Sequence, residues 1–344
     1  MLMVVSFILF VLGGYGYFNQ PQSEPAWPEV IPGFAFSPYE PGKNPFDRTF
    51  PSPESIESDL KLLSGKTHAI RTYTVEDVFG RIPELAEPFD INVALGAWLS
   101  PDDEANQPEV ARLIEVANNH PQNVIRLIVG NETLLRKDLE VEQLSGYLDE
   151  VRKKTSVPVS TAEPWHVWID HPELAEHVDY LAVHMLPFWE GMSVDQAVEF
   201  IANKYELLRF SFPDKPIVIA EVGWPSHGRS IRDAAASKAN QATFLRRFLH
   251  HAEQEDYVYY VMEAFDQPWK SQLEGSIGGH WGVWDVQREQ KFEMNSPIIA
   301  IPQWQFLAAA SILVAVLLAV VWLIRAFRAA HGCPERALVP GEPL

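Results

Sequence analysis

The sequence predicts an α/β chain built on one closed barrel of eight parallel strands, flanked by an apolar segment at each end. Three observations predict it. Short apolar runs alternate with longer amphipathic stretches through most of the 344 residues, and these runs number eight. Polar and aromatic residues crowd the ends of the runs. Strands alternating with helices imply parallel pairing through crossover helices. Eight units in roughly 265 residues suit a barrel, which usually takes about 250, better than an open sheet. No G-x-G-x-x-G opens a helix, which disfavours a dinucleotide fold.

The elements follow in order. Leu2 to Phe18 is apolar but lacks the basic flank of a signal peptide, and Gly13, Gly14 and Gly16 weaken it as a helix. It reads as a membrane span or signal-like segment (1–18). The Pro- and Gln-rich stretch from Asn19 reads as a linker (19–30). Strands are expected at Ile31–Tyr39, His68–Val75, Ile91–Leu99, Val124–Glu132, Val157–Trp165, Val178–Phe188, Ile217–Trp224 and Tyr257–Phe265. Helices are expected at Pro53–Leu63, Glu109–Asn118, Val141–Lys154, Val194–Phe210 and Ala234–Glu255. In the last of these, Ala239, Ala242, Leu245, Phe248 and Leu249 recur at helical spacing. Together these make a (β/α)8 TIM barrel over residues 31–300, flanked by N- and C-terminal membrane segments.

Phe306 to Ile324 is an uncharged apolar stretch, with Trp304 and Trp322 near its ends. At about 1.5 Å per residue it can cross a hydrocarbon core of roughly 30 Å. Arg325 and Arg328 follow, placing that end in the cytoplasm by the positive-inside rule. A transmembrane helix over 304–328 and a short tail over 329–344 are therefore expected. Two spans would leave the barrel on the outer side of a membrane, with the lipid bilayer as a partner.

Charge and cysteine usage narrow the function. The net charge is −19, and the stretch from Trp304 onward carries three Arg and two Glu, which leaves the remainder at −20. Such a body repels phosphates and argues against nucleic acid, while suiting a neutral polymer such as a polysaccharide. The one cysteine, Cys333, permits no intrachain disulfide and no Cys-type zinc site, and no H-E-x-x-H occurs. No metal and no cofactor are expected.

Active sites of such barrels lie where strands end. Glu132 ends the fourth run, VIRLIVGNE, and Glu221 lies in the seventh, PIVIAEVGWP. Strands four and seven face each other across a closed barrel. Two carboxyl groups so placed are what glycosidic bond cleavage needs: one protonates the leaving oxygen and the other attacks the anomeric carbon or activates a water. Asn131 suits a hydrogen bond to a sugar 2-hydroxyl. Arg71 and Tyr73 end the second run and are candidates to hydrogen-bond near the nucleophile, while Glu263 and His184 are candidate rim residues. Trp165, Trp168, Trp189, Trp224 and Trp269 are candidates to stack on sugar rings; core packing is the alternative for each. Asn131-Glu132-Thr133 matches a glycosylation sequon, but its place at Glu132 makes modification unexpected.

Val218-Ile-Ala-Glu-Val-Gly-Trp-Pro-Ser-His-Gly228 resembles the signature of glycoside hydrolase family 17, the β-1,3-glucanase family. Val129-Gly-Asn-Glu132 is similar to that family's acid/base segment, and Phe265, Lys270 and Trp281-Gly282-Val283 resemble its last strand and closing loop. The resemblance runs from about Ile31 to Phe292. It implies Glu221 as nucleophile, Glu132 as acid/base, a covalent glucosyl-enzyme intermediate and a β-1,3-linked glucan substrate. Substrate-binding roles are then expected for Asn131, Arg71, Tyr73, Trp165, His184, Trp224, Glu263 and Lys270. The chain departs from the family at Gln267, where Glu often stands; the amide removes a charge near the site. It also resembles bacterial members joined to membrane segments, which implies the bacterial inner membrane with the catalytic domain on the periplasmic side. Two alternatives stay open: a β-glucan transglucosylase beside a glucan synthase partner, and a non-catalytic glucan-binding subunit.

Overall fold

Eight parallel strands close into a barrel in sequence order, in a computed structural model that describes residues 2–331. They are β1 (Ile31–Ala35), β2 (Thr67–Arg71), β3 (Asn92–Ala97), β4 (Val124–Asn131), β5 (Val159–Pro164), β6 (Leu181–His184), β7 (Ile217–Val222) and β8 (Val258–Val261). Phe34 of β1 pairs with Val261 of β8 to close the ring. Between and after the strands run α2 (Pro53–Leu63), α3 (Ile82–Ala86), α4 (Asp103–Asn119), α5 (Val141–Lys154), α6 (Trp165–Asp170), α7 (Ala197–Ser211), α8 (Lys238–Gln254) and the short α9 (Ser271–Glu274). The chain ends are helical too, as α1 (Leu2–Phe18) and α10 (Trp304–Ala330).

The helices turn apolar stripes onto the barrel. Leu144, Leu148 and Val151 of α5 are buried at three- and four-residue spacing, as are Phe244, Leu245, Phe248 and Leu249 of α8. Inside the barrel, Ala69, Ala94, Ala162, Ala182 and Ala220 leave room for Ile128, Tyr180 and Tyr260, which fill the interior. Strands end earlier than the apolar runs because the chain leaves the ladder at the rim. Three helix starts also differ, and α7 begins at Ala197 where the sequence predicts Val194. Asp102 caps α4 by accepting from the Glu104 N–H at 3.0 Å, and the helix runs through Pro108. Ser237 caps α8, accepting from Asn240 N–H at 3.0 Å, so this helix begins after Ala234.

Two ladder irregularities matter most. Between Ile128 and Asn131, β4 spends one residue more than β5. Between Ile219 and Val222, β7 spends one more than β8, and His184 of β6 pairs with Glu221. A bulge of this kind re-aims the side chains that follow it. Gly130, at φ +86°, makes the first one possible, because that conformation is costly for a residue with a Cβ.

The chain forms two units, the barrel over Ser23–Ile298 and a second comprising the segments up to Gln22 and from Ile299 on. Within the second, α1 packs along α10, with the Tyr15 hydroxyl 3.2 Å from Ser311 Oγ and Asn19 Oδ1 accepting from Ile301 N–H at 2.9 Å. The three glycines do not interrupt α1. Among the described residues, α10 is the one helix long and apolar enough to cross a membrane, by length and composition; the apolar part of α1, Val5–Phe18, is shorter. Cys333 and the tail lie outside the described residues.

Within the barrel unit, buried Arg246 of α8 gathers the two ends of that unit. It donates to the carbonyls of Pro25 (2.5 Å), Glu24 (2.6 Å) and Ser296 (2.7 Å). Arg246→Met keeps most of the packing stem and removes these bonds. It should cost about 3 kcal/mol, read as a loss of roughly 5–10 °C in the thermal midpoint.

Candidate active site

One buried guanidinium organises the rim. Arg71 ends β2, two residues beyond Ala69 and on the same interior face. It donates from one amino group to the Glu221 carboxylate and from the other to Asn131 Oδ1, and so ties β2 to β7 and β4. The guanidinium also lies 4.1 Å over the Tyr73 ring, and the Tyr73 hydroxyl donates to Glu221 Oε1 at 2.7 Å. Burial alone would raise the Glu221 carboxyl. His184, Arg71, Lys270 and the Tyr73 hydrogen bond overcome it and lower Glu221 to about 2. Burial and the charge of Glu221 push the Tyr73 phenol well above its ordinary value, so it stays a donor.

Glu132 faces this carboxylate from the turn after β4. Its backbone is left-handed, at φ +54°, a conformation that is costly for a residue with a Cβ and is found at functional sites. Its side chain is 28% exposed, against 6% for Glu221. His184, ending β6, stands between the two. Its Nδ1 lies 2.8 Å from Glu132 Oε1 and its Nε2 lies 3.6 Å from Glu221 Oε1. One oxygen of Glu132, one nitrogen of His184 and one oxygen of Glu221 all fall within 4.8 Å of one another. That spacing also suits a metal. Here, however, the guanidinium of Arg71 already occupies the Glu221 carboxylate and Lys270 adds a second cation nearby, a charge pattern that suits carboxylate chemistry better than a divalent ion.

Behind the pair, Lys270 Nζ reaches both oxygens of buried Glu263, at 2.9 and 2.8 Å. Burial raises Glu263 to about 7, and the carboxylates around Lys270 keep it a cation despite burial. Gln267 is buried. Its amide donates to the Ser37 carbonyl of the β1 loop and its oxygen accepts from Trp269 Nε1 at 2.8 Å. An ionised Glu could accept from Trp269 but could not make the donation to Ser37, so the departure at Gln267 serves the tie to the β1 loop. Two residues without a sequence-based role also belong here. Glu274 of α9 accepts from Trp281 Nε1 at 2.9 Å and is raised by burial. Glu163, the penultimate residue of β5, accepts from two backbone amides just past Glu132. Each is a lone Glu without a motif, and only the folded chain sets it apart.

The tryptophans divide. Trp224 is fully buried against Phe188 and Phe244 and donates to the Ala235 carbonyl, so it shapes the β7 loop and offers no surface to a sugar. Next to it, Gly223 is required because a Cβ there would run into the Met262 carbonyl. Trp168 is likewise buried, donating to the Ala182 carbonyl. Trp165 is half-buried, with Lys204 Nζ 3.8 Å over its ring and Glu190 bonded to its N–H. Trp189 and Trp269 keep exposed surface, as does Trp98, whose ring carries the Arg136 guanidinium at 4.3 Å. A cavity of about 920 Å³ lies where the loops after β2 and β3 meet, lined by Thr74, Trp98, Asn106 and Glu109; neither Glu132 nor Glu221 lines it.

Comparison with known proteins fits this geometry. Residues 33–282 match the BtgE/BtgC glycoside hydrolase domain. The chain belongs to that family. A probable glucan endo-1,3-beta-glucosidase of Aspergillus terreus is 27% identical over 302 residues, covering 78% of this chain and 46% of its own. The chain thus spans under half the length of that relative. A glucan 1,3-beta-glucosidase of Candida albicans is 26% identical over 275 residues, covering 72% of this chain and 89% of its own. In fold, the barrel is similar to the crystal structure of a glycoside hydrolase family 17 beta-1,3-glucanosyltransferase from Rhizomucor miehei, with a TM-score of 0.69, 24% identity and coverage of 77% and 97%.

The depressed Glu221 carboxyl has a consequence for stability. Its charge contributes fully above its ordinary value of 4.5, and the contribution is lost as pH falls towards about 2. Glu221→Gln removes that dependence. Its thermal midpoint should therefore fall less steeply than that of the parent protein between about pH 5 and pH 3.

Proposed function

We propose that this protein is a retaining glycoside hydrolase acting on β-1,3-linked glucan, with Glu221 as nucleophile and Glu132 as acid/base. The observation that carries this reading is the carboxylate pair: oxygens of Glu132 and Glu221 lie within 4.8 Å of each other, with His184 between them. A retaining pair stands roughly 5–5.5 Å apart, whereas an inverting pair leaves roughly 6.5–9.5 Å for a water. The relatives named as glucan 1,3-beta-glucosidases supply the substrate class.

In the first step Glu132 gives its proton to the glycosidic oxygen as the anionic Glu221 attacks the anomeric carbon. The C–O bond to the leaving sugar breaks, and a glucosyl ester forms on Glu221. In the second step Glu132 takes a proton from the incoming hydroxyl, which displaces Glu221. Arg71 and Tyr73 keep Glu221 ionised and fixed in orientation. Asn131, with its oxygen held by Arg71, has its amide group available for a sugar 2-hydroxyl. Lys270 and Glu263 act from behind the pair by charge. Trp269, Trp189 and Trp98 are the aromatic surfaces open to sugar rings.

Transfer to a second glucan is the other reading, favoured by the fold similarity to a glucanosyltransferase. It uses the same two steps, with an acceptor hydroxyl in place of water. In either case the location we propose is the bacterial inner membrane. Support comes from the length and apolar character of α10 and from Arg325 and Arg328 beyond its apolar core, the basic flank expected of a cytoplasmic end; a periplasmic barrel with a glucan synthase as partner is part of the same proposal.

The test feeds β-1,3-gluco-oligosaccharides to the full-length protein and reads product lengths by chromatography. Shorter products alone mean hydrolysis, and products longer than the substrate mean transfer. Glu221→Gln should reduce kcat by a factor of about 10⁴ or more. Glu132→Gln should do the same on natural glucan but lose far less on an aryl glucoside whose leaving group needs no proton. Activity retained in both variants on natural glucan would overturn the reading.

A further inference from the structure

We propose that Glu163 is a positioning residue for Glu132: its buried carboxylate holds the turn after β4 in the conformation that aims Glu132 into the cleft. The inference rests on Glu132 being the acid/base.

Glu163 is the penultimate residue of β5 and is completely buried. Its Oε1 accepts from Leu134 N–H at 2.8 Å and its Oε2 from Leu135 N–H at 3.3 Å. These are the second and third residues after Glu132. The residue before Glu163 grips the same turn, because the Ala162 carbonyl accepts the N–H of Glu132 itself at 2.7 Å. Strand β5 therefore takes three of the four successive amides from Glu132 to Leu135. On the opposite side Arg136 donates to the Asn131 and Leu99 carbonyls, and its N–H bonds to the Glu132 carbonyl at 2.8 Å. Glu132 has no freedom to relax from its left-handed backbone while both sides hold.

A carboxylate is an expensive way to fill this place. Burial pushes Glu163 up to about 7. An apolar side chain would avoid that desolvation, but it would leave two turn amides without an acceptor. Two successive N–H groups aimed at one point form an anion-binding concavity, and Glu163 supplies the anion from within the chain. The ionisable groups facing it are His184 from β6 and Glu132 from the β4 turn, so its charge also reaches the reacting pair directly.

The test compares full-length Glu163→Gln and Glu163→Asp with the parent protein and with Glu132→Gln on one β-1,3-gluco-oligosaccharide. The amide keeps an oxygen for Leu134 but turns a donor towards the Leu135 N–H. We expect kcat to fall about 10- to 100-fold in Glu163→Gln, the usual effect of misplacing a reacting group, with KM changed less than about twofold. The thermal midpoint should stay near that of the parent. Glu163→Asp restores the charge and should recover part of kcat. A parent-like kcat in Glu163→Gln would overturn the inference. So would a loss that merely tracks the fraction of folded protein, counted by covalent trapping with a fluoroglucoside. Should the Gln variant fail to fold, Glu163→Asp carries the test alone: a partial loss of kcat at nearly unchanged KM is expected, and a loss that merely tracks its folded fraction would overturn the inference. If Glu132→Gln is fully active, the acid/base reading falls and takes this one with it. If Glu132→Gln is inactive while Glu163→Gln behaves as the parent, only the positioning role falls.

Discussion

Arg71 is the interaction on which the site depends. It is a fully buried cation, and desolvating it is affordable only because each arm meets an acceptor, Glu221 on one and Asn131 on the other. That requirement fixes three strands relative to one another at the rim. It also fixes the protonation of Glu221, since a carboxylate held against a buried guanidinium and a tyrosine hydroxyl gives up its proton readily. Breaking such a pair from one side typically costs about 3–5 kcal/mol, so the barrel top is not free to drift.

Around that fixed point the two carboxyl groups are treated differently. Glu221 is enclosed and surrounded by donors; Glu132 is partly open to solvent, stands on a left-handed turn and meets one ring nitrogen of His184. Separate environments of this kind are what the proposed division of labour needs, because they let two chemically identical side chains take opposite roles in acid and nucleophilic steps. His184 touches one and faces the other, so its two nitrogens couple the pair. Lys270 and Glu263 add a buried ion pair whose charges act on Glu221.

Each carboxylate is preceded by one extra residue in its strand. Strict alternation would send Gly130 inward and Asn131 outward on β4, because Ile128 lies in the interior cluster. The bulge at Gly130 reverses this and turns Asn131 towards Arg71. On β7 the extra residue lets Glu221 follow Ala220 onto the interior side, while Val222 joins the outer core. A regular barrel of this sequence would bury the wrong side chains at the rim.

Much was legible in the sequence for physical reasons. The period of apolar residues marked eight strands and their helices, because burial on one face leaves that trace in any such chain. The segments VIRLIVGNE and PIVIAEVGWP marked Glu132 and Glu221, since a strand-end carboxylate beside Gly or Asn stands out. Helix starts at Asp102 and Ser237 were less visible, because caps depend on single side chains. The sequence could not separate Trp224 and Trp168, which are core, from Trp189 and Trp269, which keep exposed surface, as an aromatic ring suits either place. By itself the sequence determined the barrel, the acidic body and the apolar α10, and it singled out Glu132 and Glu221 as the candidate pair. Only the tertiary structure decided how Arg71, His184 and Glu163 serve that pair. Their partners lie on other strands, and a hydrogen bond between strands exists only once closure of the barrel has brought the two ends together.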